Sequence, residues 1–197
     1  MHDLVRAHPL AALVTQSSRG LVCDHVPLLV RADGSQFGAL VGHVARANPL
    51  WQDFDPAARV LAIFQGPAAY ITPAWYPTKA ETGKAVPTWN YAVVHAQGTL
   101  RVIEDRAWLR AQVEALTAHN ESPRAQPWAV ADAPADYIEA MLGAIVGIEI
   151  AVTNLRGKWK VSQNQPARNQ EGVIAGLEES GAKAMARLVR ERSGKKD

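Results

Sequence analysis

The sequence has little cysteine: Cys23 is the only one among 197 residues. A single thiol excludes an intramolecular disulfide and a thiolate metal cluster. The histidines show no spacing typical of a zinc site, so no metal site is predicted. Long apolar runs are also missing. None approaches the ~20 residues that cross a bilayer, and Met1-His2-Asp3 begins no apolar signal segment. We therefore expect a cytoplasmic protein without a membrane partner.

Several motifs of catalysis and nucleotide binding are absent as well. The sequence has no P-loop, and no G-x-G-x-x-G follows a strand-like segment. Ser162 and Cys23 lack the context of a nucleophile elbow, and Glu81 has no carboxylate partner at a spacing typical of paired acids. We therefore predict no catalytic side chain.

A large apolar share is what the chain does have. Hydrophobic residues make up 48% of it, which excludes disorder of the whole chain. The net charge of +2 tolerates anionic partners without requiring them. No internal repeat is evident, and we expect a single domain over residues 1–197.

Strand-like segments dominate the chain. They are rich in β-branched, leucine or aromatic residues and cover 11–15, 21–30, 37–43, 59–65, 68–72, 90–103 and 145–153. The turns at 17–20 and 32–35 contain glycine and would pair their flanking strands antiparallel. The expected helices begin after Asn48, Asp105 and Pro134, span 173–189 with a break at Gly181, and give way to a frayed end at 190–197. This pattern predicts an α+β fold with a closed or partly closed antiparallel barrel.

Three segments carry groups suited to binding. In "GHVARANPLW", His43 and Arg46 fall between a strand end and a predicted helix start. Helix N-termini present unpaired N–H groups and a positive dipole end, which suits a phosphate or carboxylate, and Arg46 could add a bidentate contact. The alternative is a helix cap, a solvated arginine and a partly buried histidine.

The second segment is 70–91, "YITPAWYPTKAETGKAVPTWNY". Its aromatic side chains offer flat surfaces that could cover a planar ring, and Thr88 and Asn90 could hydrogen-bond to a ring edge. The alternative is that these aromatics only close the end of a barrel.

The third segment is 155–165, "LRGKWKVSQNQ". Lys158 and Lys160 alternate with Trp159 as they would in a strand, so both lysines share one face. Ser162 and the amides after it follow directly. Nucleic-acid binding, cofactor contact and a solvated strand end all remain open for this segment.

Together the segments resemble a known family. "RAHPLAALVT", "HVPLLV", "GHVARANPLW", "AIFQGPAAYITPAWYP", "VPTWNYAVVHAQG", "IVGIEI" and "GKWKVSQNQP" are similar, in order and spacing, to the FMN-binding negative transcriptional regulators of the PaiB type. The resemblance runs from about Arg6 to the C-terminal helix. Family members usually begin with a further segment that contains a Tyr-x-Pro motif, which this sequence lacks.

The resemblance implies a split β-barrel of Greek-key type with peripheral helices, in a homodimer that holds FMN in a cleft between subunits. In that fold the strand-to-helix junction at "GHVARANP" holds the FMN phosphate, and the aromatic loop lies beside the isoalloxazine. The predicted FMN contacts are His43, Arg46, Ala47, Asn48, Trp75, Tyr76, Lys79, Thr88, Trp89, Asn90, Lys158, Lys160, Ser162 and Asn164.

Three functions remain open at this point. The family name implies a repressor, although no helix-turn-helix is recognisable and +2 is a modest charge for a DNA-binding protein. The second is a flavin reductase or oxidase that uses NAD(P)H, in which the cofactor would carry the chemistry. The third is a flavin sensor without turnover or DNA contact.

Overall fold

The computed structural model describes residues 1–193, which form two compact units. The first unit contains Met1–Phe64 and His95–Arg156. The second contains Gln65–Val94 and, among the described residues, 157–193. The expectation of one domain over residues 1–197 stays a prediction.

Seven strands form one antiparallel sheet. They are β1 (Leu10–Ser17), β2 (Gly20–Pro27), β3 (Leu29–Arg31), β4 (Ala39–Ala45), β5 (Val60–Ile71), β6 (Thr88–Ile103) and β7 (Ile145–Lys160). The strand order is β2-β1-β5-β6-β7-β4-β3. Segments 59–65 and 68–72 were expected as two strands, but β5 runs through Gly66 and Pro67. The φ angle that proline imposes is compatible with extended backbone.

The alternation expected at 158–160 is confirmed, since β7 extends to Lys160. Its first residues pair with β4, with Val41 opposite Glu149. The predicted hairpin at 17–20 is also confirmed, with Ser17 opposite Gly20 in the β1–β2 ladder.

Six α-helices occur among the described residues. They are α1 (His2–Ala7), α2 (Thr78–Thr82), α3 (Arg106–Glu121), α4 (Ala135–Gly143), α5 (Ala167–Glu179) and α6 (Lys183–Arg192). The Asp105 carboxylate caps α3 by accepting the N–H of Trp108 at 2.7 Å. The break at Gly181 is confirmed, and its φ of +81° explains why glycine stands there. The frayed end expected at 190–197 is wrong for the part that α6 occupies, and 194–197 lie outside the described residues.

The helix expected after Asn48 is confirmed only in part, because the cap is present but the helix is shorter than expected. Asn48 does act as a cap, because its Oδ1 accepts the N–H of Leu50 at 2.8 Å. However, Pro49–Trp51 forms only one 3₁₀ turn. Two residues later the Asp53 carboxylate accepts hydrogen bonds from the backbone N–H and hydroxyl of Ser18, which draws the chain towards the β1–β2 turn. An isolated turn of this length does not develop the dipole of a helix.

In the first unit the sheet curls until its edges approach each other. β2 and β3 stand at opposite ends of the strand order, yet only the fully buried Leu28 separates them along the chain. The approach is tight at Gly42 of β4, where a Cβ atom would lie 2.6 Å from the Pro27 carbonyl oxygen. The α+β class with an antiparallel sheet is confirmed. The sheet does not close into a complete barrel, because β2 and β3 remain its edge strands.

Each unit has its own apolar packing. In the first, Leu109 of α3 packs with Val130, Ile138 and Leu142. In the second, α5 and α6 bury apolar side chains against residues from the ends of β5 and β7. The buried cluster contains Ile71 at the end of β5, Val161 directly after β7, and the helix residues Val173, Leu177, Met185 and Val189.

The close approach at Gly42 predicts the effect of a methyl group. Gly42→Ala should lower the free energy of unfolding by about 1–3 kcal/mol, because the Cβ meets backbone that cannot rotate away. Ala45→Val adds bulk at an exposed position of the same strand and should change it by less than about 0.5 kcal/mol. Denaturant titration of both variants measures the difference. Equal stability of Gly42→Ala and wild type would contradict the need for this approach.

Candidate functional site

The second unit contains a cavity of about 530 Å³. Six of the predicted contact residues line it: Tyr76, Thr88, Asn90, Lys160, Ser162 and Asn164. They come from two segments that are about 70 residues apart in the sequence, so folding brings the second and third binding segments to one place.

Two strand ends position these side chains. β6 begins at Thr88, and Asn90 projects to the same face two residues later. β7 ends at Lys160, two residues before Ser162. The Lys160 ammonium donates to the Thr88 hydroxyl, and the Asn90 Nδ2 donates to the Ser162 Oγ at 2.9 Å. The start of one strand is therefore tied to the end of the other at two successive positions.

Ser162 has an unusual backbone. Its φ of +61° is the only positive value at a non-glycine residue in the described chain. Such a conformation persists only where the surroundings hold it, and it is concentrated at functional sites. Here the buried Gln170 of α5 holds the turn, because its Nε2 lies within hydrogen-bonding distance of the carbonyl oxygens of Ser162, Gln163 and Gln165.

The Asn90 side chain leaves one polar atom unpaired. The residue is 1% exposed, and its Oδ1 has no hydrogen-bond partner among the described residues. A buried acceptor without a partner costs about 1–3 kcal/mol, so native proteins rarely contain one outside a ligand or water site. The residues that line the cavity therefore include a buried acceptor without a partner.

Charge is distributed unevenly in the cavity. Lys84 and Lys160 line it, and both are exposed. No aspartate or glutamate lines the cavity, and neither lysine forms an ion pair with a described residue. The buried lining residues include Tyr76 and Asn169, which are neutral. The arrangement suits a ligand with an anionic end towards solvent and a neutral, hydrogen-bonding end inside.

Four predicted contacts of this unit do not line the cavity. Trp75 packs in the unit's core, where its indole lies directly against Gly176 of α5. Trp89 is exposed and meets the ring of Tyr70 edge-on at 5.9 Å between centroids. The Lys158 ammonium stands 5.9 Å from the ring centroid of Tyr91. The fourth is Lys79, which belongs to α2.

The remaining predicted contacts belong to the first unit, and the polar ones already have protein partners. His43 Nδ1 lies 2.6 Å from the Gln112 Oε1. Asn48 donates from Nδ2 to the Asp24 carboxylate at 2.8 Å in addition to capping its turn. Ala47 is exposed.

Arg46 is also engaged. Its guanidinium donates to the Gly143 carbonyl at 3.1 Å and to the Glu104 carboxylate at 2.8 Å, and it stands 5.3 Å from the Trp51 ring centroid. The structure thus gives Arg46 a role in tying the end of β4 to the chain before β7. A phosphate contact at this residue stays a prediction.

Sequence analysis missed several lining residues. Lys84 and Val86 lie inside segment 70–91, where only the aromatic rings and the polar groups of Thr88 and Asn90 gave a signal. Thr78 was missed for the same reason, whereas Gln165 belongs to the polar run after Ser162, which gave a signal for it. Asn169 lies in the first turn of α5, and no local pattern marks it.

Residues 1–154 match the sequence model of the protein family described as "Putative FMN-binding domain". The chain belongs to this family. Its members are defined by that FMN-binding domain, so membership supports a flavin as the cofactor.

Relatives of this family extend over nearly the whole chain. An uncharacterised protein of Emericella nidulans is 35% identical across 100% of this chain and 94% of its own length. The protease synthase and sporulation protein PAI 2 of Bacillus subtilis is 30% identical across 96% of this chain and 90% of its own. The resemblance to the PaiB type is therefore confirmed.

A solved structure supports the fold. The FAD and heme binding protein of Mycobacterium smegmatis superposes with a TM-score of 0.55, covering 89% of this chain and 76% of that chain at 16% identity. The split-barrel class expected for the family is confirmed.

No helix among the described residues is both long and apolar enough to cross a membrane. No group of three or more His, Cys, Asp or Glu in the same residues is placed to hold a metal ion.

Burial of Tyr76 predicts a pH dependence of stability. Burial raises the pKa of its hydroxyl above the usual value of about 10. As pH rises past that value, the unfolded chain loses this proton first, so Tyr76 should lower stability by up to about 1.4 kcal/mol per pH unit until the folded pKa is reached. Below a pH of about 10 its contribution is fully present.

Tyr76→Phe keeps the ring and removes the titration. Unfolding of wild type and variant by urea, measured at a series of alkaline pH values, should show a steeper loss of stability for wild type. Lysine titrations are common to both proteins and cancel in the difference. Parallel pH profiles would show that the hydroxyl has no raised pKa.

Proposed function

We propose that the cavity of the second unit binds FMN and that the protein is a flavin-binding regulator of the PaiB type. The observation that carries the proposal is the polarity of the cavity. The cavity lining combines two exposed lysines without acidic partners and a buried Asn90 oxygen that has no hydrogen-bond partner among the described residues. A mononucleotide flavin has the matching polarity, with a phosphate at one end and a hydrogen-bonding ring at the other.

The dimensions and donors of the cavity fit the cofactor. Its volume of about 530 Å³ lies within the range of about 300–1,000 Å³ that ligand pockets occupy. Hydroxyl and amide groups from Thr88, Ser162 and Asn164 can serve a ribityl chain. Bound FMN would supply electron transfer through its ring, while the chain supplies position and electrostatics.

The phosphate belongs at the exposed end of this cavity. Lys160 already donates to Thr88, which holds its ammonium at the cavity wall. Lys84 lies in the loop before β6, so a second cation contributes from the other segment. By contrast, a phosphate at Arg46 would have to replace the Glu104 carboxylate.

The isoalloxazine belongs at the buried end. Asn90 Oδ1 is an acceptor, and oxidised flavin carries one ring N–H, which could donate to it. Tyr76 adds an aromatic surface and is almost fully buried. Burial of the ring against these two side chains would exclude water from one end of the cofactor.

Lys160→Gln should weaken FMN binding about tenfold to a hundredfold, the usual effect of losing a charge-assisted hydrogen bond. Lys158→Gln is the matched control, because Lys158 lies two residues away on the same strand and does not line the cavity. Fluorescence titration with FMN and with riboflavin measures both. Riboflavin, which lacks the phosphate, should bind wild type and Lys160→Gln equally.

Arg46→Ala separates the two candidate phosphate sites. Unchanged FMN affinity in Lys160→Gln together with a loss in Arg46→Ala would move the phosphate to the first unit and refute the assignment to this cavity.

A regulatory role is supported by the name of the Bacillus subtilis relative, which links that protein to protease synthesis and sporulation. The structure adds one feature that the sequence did not reveal. α5 and α6 are joined by a turn of three residues that contains Gly181, the connection length of helix-turn-helix motifs. Lys183 and Arg187 are exposed on α6. Homodimer formation and cytoplasmic location stay predictions.

The charge of this helix pair limits the expected DNA affinity. Arg190 pairs with Glu178 at 2.6 Å and Arg187 approaches Glu191 at 3.6 Å, so two of the basic residues face acidic neighbours. Lys183 forms no ion pair with a described residue. Binding to duplex DNA through α6 would therefore be weak and strongly dependent on salt.

Lys183→Gln should reduce the slope of log affinity against log salt by about one unit if the residue contacts a phosphate. Arg110→Gln on α3 provides a control, because Arg110 belongs to the first unit and already pairs with Glu114. Fluorescence anisotropy with duplex DNA at several salt concentrations gives the slopes. Absence of binding at low salt, together with NAD(P)H-dependent bleaching of the flavin, would favour the oxidoreductase instead.

A further inference from the structure

A second cavity, of about 220 Å³, lies wholly within the first unit. One wall consists of β3 and Val41 of β4, and the other is a face of α3. Its lining residues differ from those of the flavin site proposed above, and the inference drawn from it does not depend on that proposal.

The sequence of α3 explains why space remains here. Trp108, Ala111, Gln112 and Ala115 recur at helical spacing and form one face of the helix. The Trp108 ring lies over Gly147, where a Cβ atom would approach it to 2.5 Å. Trp108 thus sets the distance between helix and sheet, and the two short alanines leave the space beside it unfilled.

Gln112 introduces a polar group into this apolar space. It is 5% exposed and lines the cavity. Its Oε1 lies 2.6 Å from His43 Nδ1, which orients the amide by donating to the oxygen. Its Nε2 has no partner among the described residues. A buried N–H donor is therefore held in place without an acceptor.

The single charged lining residue is already neutralised. Arg31 is ion-paired with Glu149, a carboxylate that is buried and also binds Arg101. If Arg31 left this ion pair to bind a ligand, only Arg101 would remain to compensate the buried negative charge of Glu149. The cavity therefore offers hydrogen bonding at Gln112 without a free positive charge.

We propose that this cavity is a second ligand site, for a neutral apolar molecule of about one ring that carries one hydrogen-bond-accepting oxygen. Apolar cavities of about 150 Å³ accept benzene, so about 220 Å³ accommodates a ring with a short substituent. The accepting oxygen pairs with Gln112 Nε2, and the ring lies against Leu29, Val41 and Trp108. His43 acts as a positioning residue for the amide.

The test compares two probes of nearly the same shape. Acetophenone has a ring and a carbonyl oxygen, whereas ethylbenzene lacks the oxygen. Calorimetric titration of the full-length protein should give an affinity for acetophenone about tenfold higher than for ethylbenzene, because only acetophenone satisfies the buried donor. Gln112→Leu should abolish this preference and leave ethylbenzene binding at least as strong.

Two further variants locate the site independently of Gln112. Ala111→Leu, at an exposed position of α3 that lines the cavity, should prevent binding of both probes by filling the space. Ala107→Leu is exposed on the same helix outside the lining and should change neither affinity. Saturable binding in wild type and Ala107→Leu, with loss in Ala111→Leu, would support the site.

Two results would overturn the proposal. One is the absence of saturable binding of either probe at millimolar concentration in wild type, which would mean that water alone satisfies Gln112. The other is equal affinity for the two probes in wild type and in Gln112→Leu, which would show that the amide plays no part in recognition.

Discussion

The fold depends on a connection of one residue between the two ends of the sheet order. β2 and β3 are the outermost strands, but only Leu28 separates them in the chain. One residue spans about 3.5 Å, so the sheet must curve until the linked ends of its two edge strands lie close together, although the sheet does not close. This curvature brings β4 against Pro27, where Gly42 is required because a side chain would collide with backbone. Gly147 is required for a similar reason, because the lack of a side chain there allows the Trp108 ring to approach β7. The Trp108 ring in turn sets the distance between α3 and the sheet.

The buried polar side chains of this protein differ in whether all of their polar atoms have hydrogen-bond or ion-pair partners, and this difference separates structural groups from candidate ligand contacts. Glu149 is a buried charge that two arginines compensate, so it needs no ligand. Asn90 and Gln112 each bond through one end of the amide and leave the other end without a partner. Each unpaired group costs about 1–3 kcal/mol against a total stability of about 5–15 kcal/mol. Such groups are therefore the strongest structural sign of a ligand in each unit.

The rigidity of the second unit's cavity comes from contacts between strand ends. Lys160 bonds to Thr88 and Asn90 to Ser162, so the cavity wall is fixed where two regular strands give way to irregular chain. Gln170 then holds the turn that carries Ser162 in its positive-φ conformation. A site held in this way is formed before a ligand arrives, which lowers the entropic cost of binding.

The sequence by itself determined the local structure and the family. Strand patterns, the Asp105 cap and the break at Gly181 depend on residues close in the chain, and contiguous motifs identified the PaiB type. Only the tertiary structure decided which side chains remain available for binding. Trp75 is used in packing, and Arg46 is engaged by Glu104, 58 positions away. Lys84 instead reaches the cavity. The physical reason is that propensities act over a few residues, whereas hydrogen-bond partners are set by segments that meet only after the sheet has formed.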